Sequence, residues 1–430
     1  MILKFKKKDL INCVFLLMAF FPVYMSSLAG LVWPSSIYMY MQVFGLFAIC
    51  VYNRNWLRFS RNNIYIYFTV LVMLVLILYG CAKYPYLGQI VYCVFLLFFI
   101  ASLNSGEWQK YILSILMIAG VIYALATFAL IFPGVSFYSK HIASLYPNNY
   151  GGLVGCYKRG EYAGITGHYS TNATMLANGV IPCVSLCLVR IKNSNKTTRK
   201  ELNRDLCLLA FLFIALLLSG KRAHFLFSVC AVLVAMYFYT SNEKNRFAKY
   251  LLVISAGVFC GLIAYYTVPA INNLFSRFSN LSEGVSVLKR YELWGAAIEA
   301  FKEHPILGNG WSSFPNSIGG RVGYFGYTHN VYLELLCEVG IVGFVVFLTF
   351  FIINIVQTLR LVTSISFNKS NTSVTVQYLL LFSLIYQIYF LMYCMTGNPL
   401  YDVYVYMPYF VSCSTSLYYR KNVKKVRTIE

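Results

Sequence analysis

Charged residues are scarce in this sequence. They make up 11% of its 430 residues and only 14 are acidic, whereas 59% are hydrophobic. So little charge excludes a chain of two or three water-soluble domains. Several familiar site patterns are also missing, namely a P-loop, a dinucleotide fingerprint, a GxSxG elbow, an HExxH motif and a CxxC pair. We therefore expect an integral membrane protein that uses no cofactor and no metal.

Long apolar runs are abundant. A bilayer core is crossed by about 20 helical residues, and runs of about that length recur along nearly the whole chain. They predict an all-α, polytopic protein with about twelve transmembrane helices, at residues 11–30, 36–52, 64–82, 86–103, 111–133, 171–190, 206–220, 223–240, 251–271, 335–359, 377–395 and 401–419.

The formal charge of +21 does not indicate nucleic-acid binding. If the basic N-terminal segment KFKKK is cytoplasmic, most Lys and Arg residues fall in segments on that side, as the positive-inside rule requires. The same rule places both termini in the cytoplasm, and the first apolar run is read as an uncleaved helix because no convincing cleavage site follows it.

Two predicted outside loops are long enough to carry function. The first spans about 134–170, after the fifth of the nine helices predicted in 1–271. The second, 272–334, contains apolar residues at helical spacing, which predicts a helix along the outer membrane surface that stops near His304 because Pro305 follows. Residues 335–430 supply the last three helices and the C-terminus.

Basic residues at the predicted outer face are candidates for anion binding. Lys221 and Arg222 occupy a short hairpin, where they either meet lipid phosphates by snorkelling or clamp a lipid-linked phosphate or pyrophosphate. Arg290, on the surface helix, and Arg321, in a glycine-rich segment, are candidates to join the clamp, although both are also compatible with an ordinary surface position.

All five histidines lie on or near the predicted outer side. His329 precedes a long apolar run and is the best candidate for a general base, because imidazole titrates near neutral pH. A helix-capping role is the alternative reading. For His304, which precedes a proline, we expect a structural role. The outer loops are also rich in Tyr and Trp, which suit either sugar stacking or an interfacial belt.

The segments RYELWGAAIEAFKEHPILGNGWSSF (290–314) and THNVYLELLCEVGIVGFVVFL (328–348) resemble the O-antigen ligase and polymerase superfamily of bacterial surface polysaccharide assembly. The family pattern is an Arg and a Trp four residues apart, a His-Pro-x-x-Gly-x-Gly turn, and a His-Asn pair that opens a helix ending in Glu-x-Gly. Its counterparts here are Arg290, Trp294, His304, Pro305, Gly308, Gly310, His329, Asn330, Glu338 and Gly340. Weaker matches lie at 163–177 and 219–225, the second with residues inserted before Arg222.

The resemblance implies a metal-independent, inverting, GT-C-like glycosyltransferase of the bacterial cytoplasmic (inner) membrane. It would act on polyprenyl-pyrophosphate-linked oligosaccharides at the outer side of that membrane. His329 and Arg290 would be catalytic. Lys221, Arg222, Arg290 and Arg321 would bind the pyrophosphate, and Asn330, Trp294, His304, Gly308, Gly310 and Glu338 would support them. The family also implies a flippase and a chain-length regulator as partners.

The acceptor separates the possible functions. A polymerase transfers the growing glycan to the next lipid-linked repeat unit, whereas a ligase transfers it to lipid A core or another anchor. We expect a polymerase, because no feature of the sequence picks out an anchor. A permease for small anions is the alternative from another class.

Overall fold

The computed structural model describes residues 7–29, 35–53, 63–81, 87–102, 108–194, 197–248, 285–367 and 372–426, together with a few positions between 250 and 266. All regular structure in these residues is helical, and none of them lies in a strand. The all-α fold class is confirmed.

The helices are numbered in chain order. They are α1 (Lys7–Ala29), α2 (Ser35–Tyr52), α3 (Ile64–Cys81), α4 (Leu87–Ser102), α5 (Gln109–Ile131), α6 (Gly134–His141), α7 (Tyr150–Lys158), α8 (Tyr169–Lys192), α9 (Arg199–Leu218), α10 (Arg222–Tyr239), α11 (Val285–Glu303), α12 (Ser313–Asn316), α13 (Val331–Phe367), α14 (Val374–Tyr393) and α15 (Val403–Val426). Short 3-10 turns occur at Ala143–Leu145, Pro147–Asn149 and Ile318–Val322.

Five helices of the described chain, α5, α8, α10, α13 and α14, are long and apolar enough to cross a membrane, and shorter apolar stretches occur within α1 to α4. A helix satisfies its backbone polar groups internally, which hydrocarbon surroundings require. Eleven of the twelve predicted spans overlap helices, and the remaining one, 251–271, falls almost entirely outside the described residues. The number twelve stays a prediction.

The centre of the helical bundle is built on α8 and α14, which are the most buried of the five candidate spans. Gly120 of α5 and Gly179 of α8 let these two helices approach closely, since a Cβ added to Gly120 would lie 2.7 Å from the Cα of Gly179. On its other side α8 faces His224 of α10, whose buried ring lies between Thr174 and the Tyr389 hydroxyl of α14.

The two long loops are largely folded. The first contains α6, α7 and two 3-10 turns, which pack around the buried side chains of Tyr138, Leu153 and Ala163. In the second, the predicted surface helix is present as α11 and ends at Glu303, immediately before His304 and Pro305. The helical part of that prediction is confirmed. Its placement on the outer membrane surface stays a prediction.

Candidate active site

A break in α13 organises the outer part of the site. At Gly340 the backbone adopts φ 62° and ψ −170°, so the helix is interrupted and continues in a new direction. The carbonyls of Cys337 and Glu338, just before the break, accept hydrogen bonds from the N–H groups of Asn309 (3.0 Å) and Gly310 (2.9 Å). The break thus exposes backbone groups that another segment pairs.

The pairing is reciprocal. Beyond the break, the N–H groups of Ile341 and Val342 donate to the carbonyls of Pro305 (2.9 Å) and Ile306 (3.3 Å). Breaking a helix normally leaves such groups without partners. The turn after α11 supplies those partners, and we call this four-bond arrangement the backbone clamp.

The clamp explains two of the glycines in the sequence pattern, Gly308 and Gly340. Gly308 has φ +72°, and a Cβ there would lie 2.4 Å from the carbonyl group of Glu338. At Gly340 a Cβ would lie 2.3 Å from the Ile306 oxygen. Neither the left-handed backbone nor the space tolerates a side chain. Gly308, Gly310 and the Glu-x-Gly segment therefore serve the geometry of the site.

Glu338 ties the clamp to two further segments. Its side chain is fully buried, and one carboxylate oxygen accepts a hydrogen bond from the Phe314 N–H (3.1 Å). The other accepts from the Tyr401 hydroxyl (2.8 Å). A buried carboxylate needs such donors, and here they anchor the loop after α11 and the turn before α15. Glu338 thus has a supporting position.

The segment before α13 is held by hydrogen bonds on both sides of His329. The indole Nε1 of Trp294 donates to the Thr328 carbonyl (3.1 Å), and the Thr328 N–H and hydroxyl both donate to Glu334 (2.9 and 2.8 Å). Asn330 caps α13, since its Oδ1 accepts from the N–H groups of Tyr332 (3.1 Å) and Leu333 (3.2 Å). The capping role thus belongs to Asn330 and leaves the ring of His329 available.

His329 itself adopts φ +57°, a left-handed conformation that is unusual for a non-glycine residue. Its half-buried ring has one neighbour at each nitrogen. Nδ1 lies 3.2 Å from Asn398 Nδ2, and Nε2 lies 3.5 Å from the Tyr324 hydroxyl. The second distance is long for a hydrogen bond, so Nε2 is the less engaged nitrogen.

The structure brings Arg290 and Lys221 to the neighbourhood of His329. Burial, together with the positive charges of Arg290 and then Lys221, lowers the pKa of His329 to about 4. The imidazole is therefore neutral at physiological pH, which is the state a general base requires. These three residues come from three separate parts of the chain: α11, the hairpin before α10, and the segment before α13.

The hairpin between α9 and α10 concentrates positive charge. Burial, then the charge of Arg290, lower the pKa of Lys221 to about 8; Glu161 opposes the shift and Arg222 adds to it. The Lys221 ammonium lies 5.5 Å from the centre of the Tyr169 ring. Gly220 makes the turn with φ +73°, and a Cβ there would lie 2.8 Å from Glu161.

Within the described residues, neither Lys221 nor Arg290 has an ion-pair partner. A buried lysine whose pKa is lowered by a neighbouring arginine forms a site suited to an anionic ligand. Glu161, the acid nearest the hairpin, is already paired with Arg159 at 2.7 Å. We call Lys221, Arg222 and Arg290 the cationic cluster.

Arg321 and His304 lie elsewhere. The Arg321 guanidinium forms a two-pronged ion pair with Glu303 (2.7 and 2.8 Å), which holds the pKa of the Glu303 carboxyl below its usual value. His304 is exposed, and its carbonyl accepts from the Gly308 N–H (3.0 Å) in the turn that leads into the clamp. In the described chain, no three His, Cys, Asp or Glu residues are grouped so as to hold a metal ion.

Several residues of the site have no signal in the sequence. Asn398 and Tyr401 lie in the turn after α14, far along the chain from His329 and Glu338, and Tyr324 is one of several tyrosines in its segment. Glu334 is one turn into a helix and reads as an ordinary polar residue. The one available hint is the unusual content of polar residues in TGNPLYD (396–402), between two apolar runs.

Residues 207–348 match the family model described as O-antigen ligase. This segment includes the cationic cluster and His329. The match confirms the resemblance to the O-antigen ligase and polymerase superfamily, whose members are membrane glycosyltransferase-like proteins that act on polyprenyl-linked glycans. It indicates a ligase- or polymerase-type function without separating the two. No curated protein matches the chain.

Proposed function

We propose that the protein polymerises polyprenyl-pyrophosphate-linked oligosaccharide repeat units of a bacterial surface polysaccharide. The growing glycan moves from its lipid carrier to a hydroxyl of the next lipid-linked unit, and polyprenyl pyrophosphate is released. The observation that carries the proposal is the approach of a neutral imidazole, His329, to two cations without ion-pair partners in the described chain, Lys221 and Arg290.

The cationic cluster serves the leaving group. Cleavage of the bond between the anomeric carbon and the pyrophosphate oxygen adds negative charge to a group that is already anionic. Positive side chains placed beforehand stabilise that charge in the transition state. Arg290 and Arg222 offer paired guanidinium donors, and Lys221 offers a compact charge. Arg321 could add to them only after leaving Glu303.

His329 serves the acceptor. In a single displacement, the acceptor oxygen attacks the anomeric carbon while the carbon–oxygen bond to pyrophosphate breaks, and the bonding pair leaves with the pyrophosphate. The proton of the attacking hydroxyl passes to Nε2 of His329. One displacement of this kind inverts the anomeric configuration. The reaction draws its energy from the pyrophosphate linkage and uses the positive side chains in place of a metal.

We further propose that the site faces the outside of the inner membrane, with both termini cytoplasmic, and that residues 272–334 form the outer unit that carries α11. Under this arrangement the lipid tail lies among the helices, while the sugars meet the aromatic residues of the outer segments. A flippase that delivers the repeat unit and a regulator of chain length would act with the protein.

The test is reconstitution of the purified protein in liposomes with lipid-linked repeat units, without nucleotide sugar and with a chelator present. We expect a ladder of products on a gel, which disappears in Arg290→Ala and His329→Ala. A single transfer that requires an added anchor would make the protein a ligase. Transport of anions without any glycan product, together with tolerance of His329→Ala, would overturn the proposal.

A further inference from the structure

We propose that Asn398 is the residue that positions His329 for proton transfer, by accepting the Nδ1–H of its imidazole and leaving Nε2 unprotonated toward the acceptor. The inference rests on the proposed role of His329 as the base. It concerns a residue outside the segment that matches the O-antigen ligase family, which ends at residue 348.

The first observation is the pairing of the two side chains. Asn398 Nδ2 lies 3.2 Å from His329 Nδ1, while Asn398 Oδ1 is buried and has no hydrogen-bond partner among the described residues. In this orientation the amide N–H donates to Nδ1, which obliges the neutral ring to carry its proton on Nε2. A proton on Nε2 would prevent that atom from acting as a base.

A half-turn of the amide exchanges the positions of its oxygen and nitrogen. Oδ1 then accepts the Nδ1–H of His329, the NH2 group takes the position that Oδ1 held, and Nε2 keeps its lone pair. Nε2 then faces the Tyr324 hydroxyl, at a distance of 3.5 Å that leaves this nitrogen open to a substrate hydroxyl.

The second observation is that hydrogen bonds to the backbone join the two segments that carry these side chains. The N–H of Val331, two residues after His329, donates to the Cys394 carbonyl (2.9 Å), and the Tyr332 hydroxyl donates to the Leu391 carbonyl (2.9 Å). On the other side, the Tyr401 N–H donates to the Asn398 carbonyl (3.0 Å). The start of α13 is therefore fastened to the end of α14 and the turn that carries Asn398.

The surroundings explain why a neutral amide suits this position. The charged groups that act on His329 are the cations of Arg290, from α11, and Lys221, from the hairpin before α10. Tyr324 faces it from the preceding loop, and the Glu334 carboxylate is engaged by Thr328. An acidic residue in place of Asn398 would introduce a negative charge beside the cations that are needed for the leaving group. An amide orients the ring without adding charge.

Two substitutions separate orientation from charge. Asn398→Leu removes the hydrogen-bonding group, and we expect kcat to fall by about tenfold or more while KM changes by less than about twofold. Asn398→Asp keeps the acceptor and adds a negative charge, which should raise the pKa of His329 by about one unit. The acid limb of the kcat/KM profile should then move to higher pH. Thr396→Val, an isosteric change in the same turn, should leave kcat and the profile as in the wild type.

A measurement that does not depend on glycan transfer accompanies the kinetics. Diethylpyrocarbonate acylates neutral imidazole, so the pH midpoint of His329 modification, followed by mass spectrometry of its peptide in the full-length protein, reports the pKa of that ring. We expect a higher midpoint in Asn398→Asp than in the wild type. An unmoved midpoint, or an unchanged kcat in correctly folded Asn398→Leu, would overturn the inference. A shifted midpoint in a protein that makes no glycan would instead overturn the proposed function alone.

Discussion

Trp294 and Thr328 are joined by a hydrogen bond from the indole Nε1 to the Thr328 carbonyl oxygen, 3.1 Å long. Trp294 lies one helical turn after Arg290 on α11, and Thr328 directly precedes His329. Residues four apart lie on the same face of a helix. The Arg and Trp of the sequence pattern therefore connect the cationic cluster to the candidate base through one rigid helix.

The first prediction concerns this connection. Trp294→Phe keeps an aromatic ring and removes the donor, so the backbone that carries His329 loses one of its supports. We expect kcat to fall by about tenfold, since small displacements of a reacting group are costly, with little change in the thermal unfolding temperature. Product formation by reconstituted protein is the measurement. Tyr291→Phe, on an exposed position of the same helix, should behave as the wild type, and equal losses in both variants would contradict the prediction.

A second prediction separates folding from catalysis at the backbone clamp. Gly340→Ala forces a side chain into a left-handed backbone against the Ile306 oxygen, and we expect destabilisation well above about 1 kcal/mol. Gly295→Ala is the matched control, because this helical glycine of α11 has open space around it and alanine favours a helix by about 1 kcal/mol. Thermal unfolding in detergent is the readout. A Gly340→Ala protein as stable as Gly295→Ala would contradict the clamp's importance.

Local patterns predicted much of this architecture. The helical spacing of apolar residues between Val287 and Phe301 predicts α11, and Pro305 sets its end, because both depend on residues close together in the chain. The His-Asn pair in front of an apolar run predicts the start of α13, although the residue that caps it is Asn330 and not His329. Such features need no knowledge of tertiary structure.

Contacts between distant segments cannot be predicted from local sequence patterns. The run ELLCEVGIVGFVVFL predicts one continuous span. The helix is interrupted at Gly340 because the segment after α11 forms hydrogen bonds with the backbone groups on both sides of it. Arg321 is a basic residue in a glycine-rich segment, which made it a candidate for pyrophosphate binding. In the structure its guanidinium is paired with Glu303 of α11. Asn398 meets His329 across 69 residues. Spacing within a segment carries no information about which distant segment packs against it.

A third prediction distinguishes the arginines. Arg290→Ala removes a cation that lacks an ion-pair partner in the described chain, and we expect a loss of kcat/KM of about a hundredfold or more, with partial recovery in Arg290→Lys. Arg321→Ala should cost less than about threefold, because an exposed ion pair contributes little. Initial rates with lipid-linked repeat units measure both. A loss in Arg321→Ala as large as that in Arg290→Ala would restore Arg321 to the pyrophosphate site.

The fourth prediction follows from the pKa of His329. This pKa is lowered to about 4 in the free protein, and the base is active only when neutral. The acid limb of kcat/KM, which reports the free enzyme, should therefore lie near pH 4, and activity should fall as the pH drops through it. A bound pyrophosphate offsets the charges of Arg290 and Lys221 and favours the imidazolium, so the acid limb of kcat should lie at higher pH.

Lys221→Met removes one of those charges and should move the kcat/KM limb upward toward the ordinary histidine value. Profiles of kcat and kcat/KM with coincident acid limbs would mean that no anion binds beside His329, and the cationic cluster would lose its proposed role.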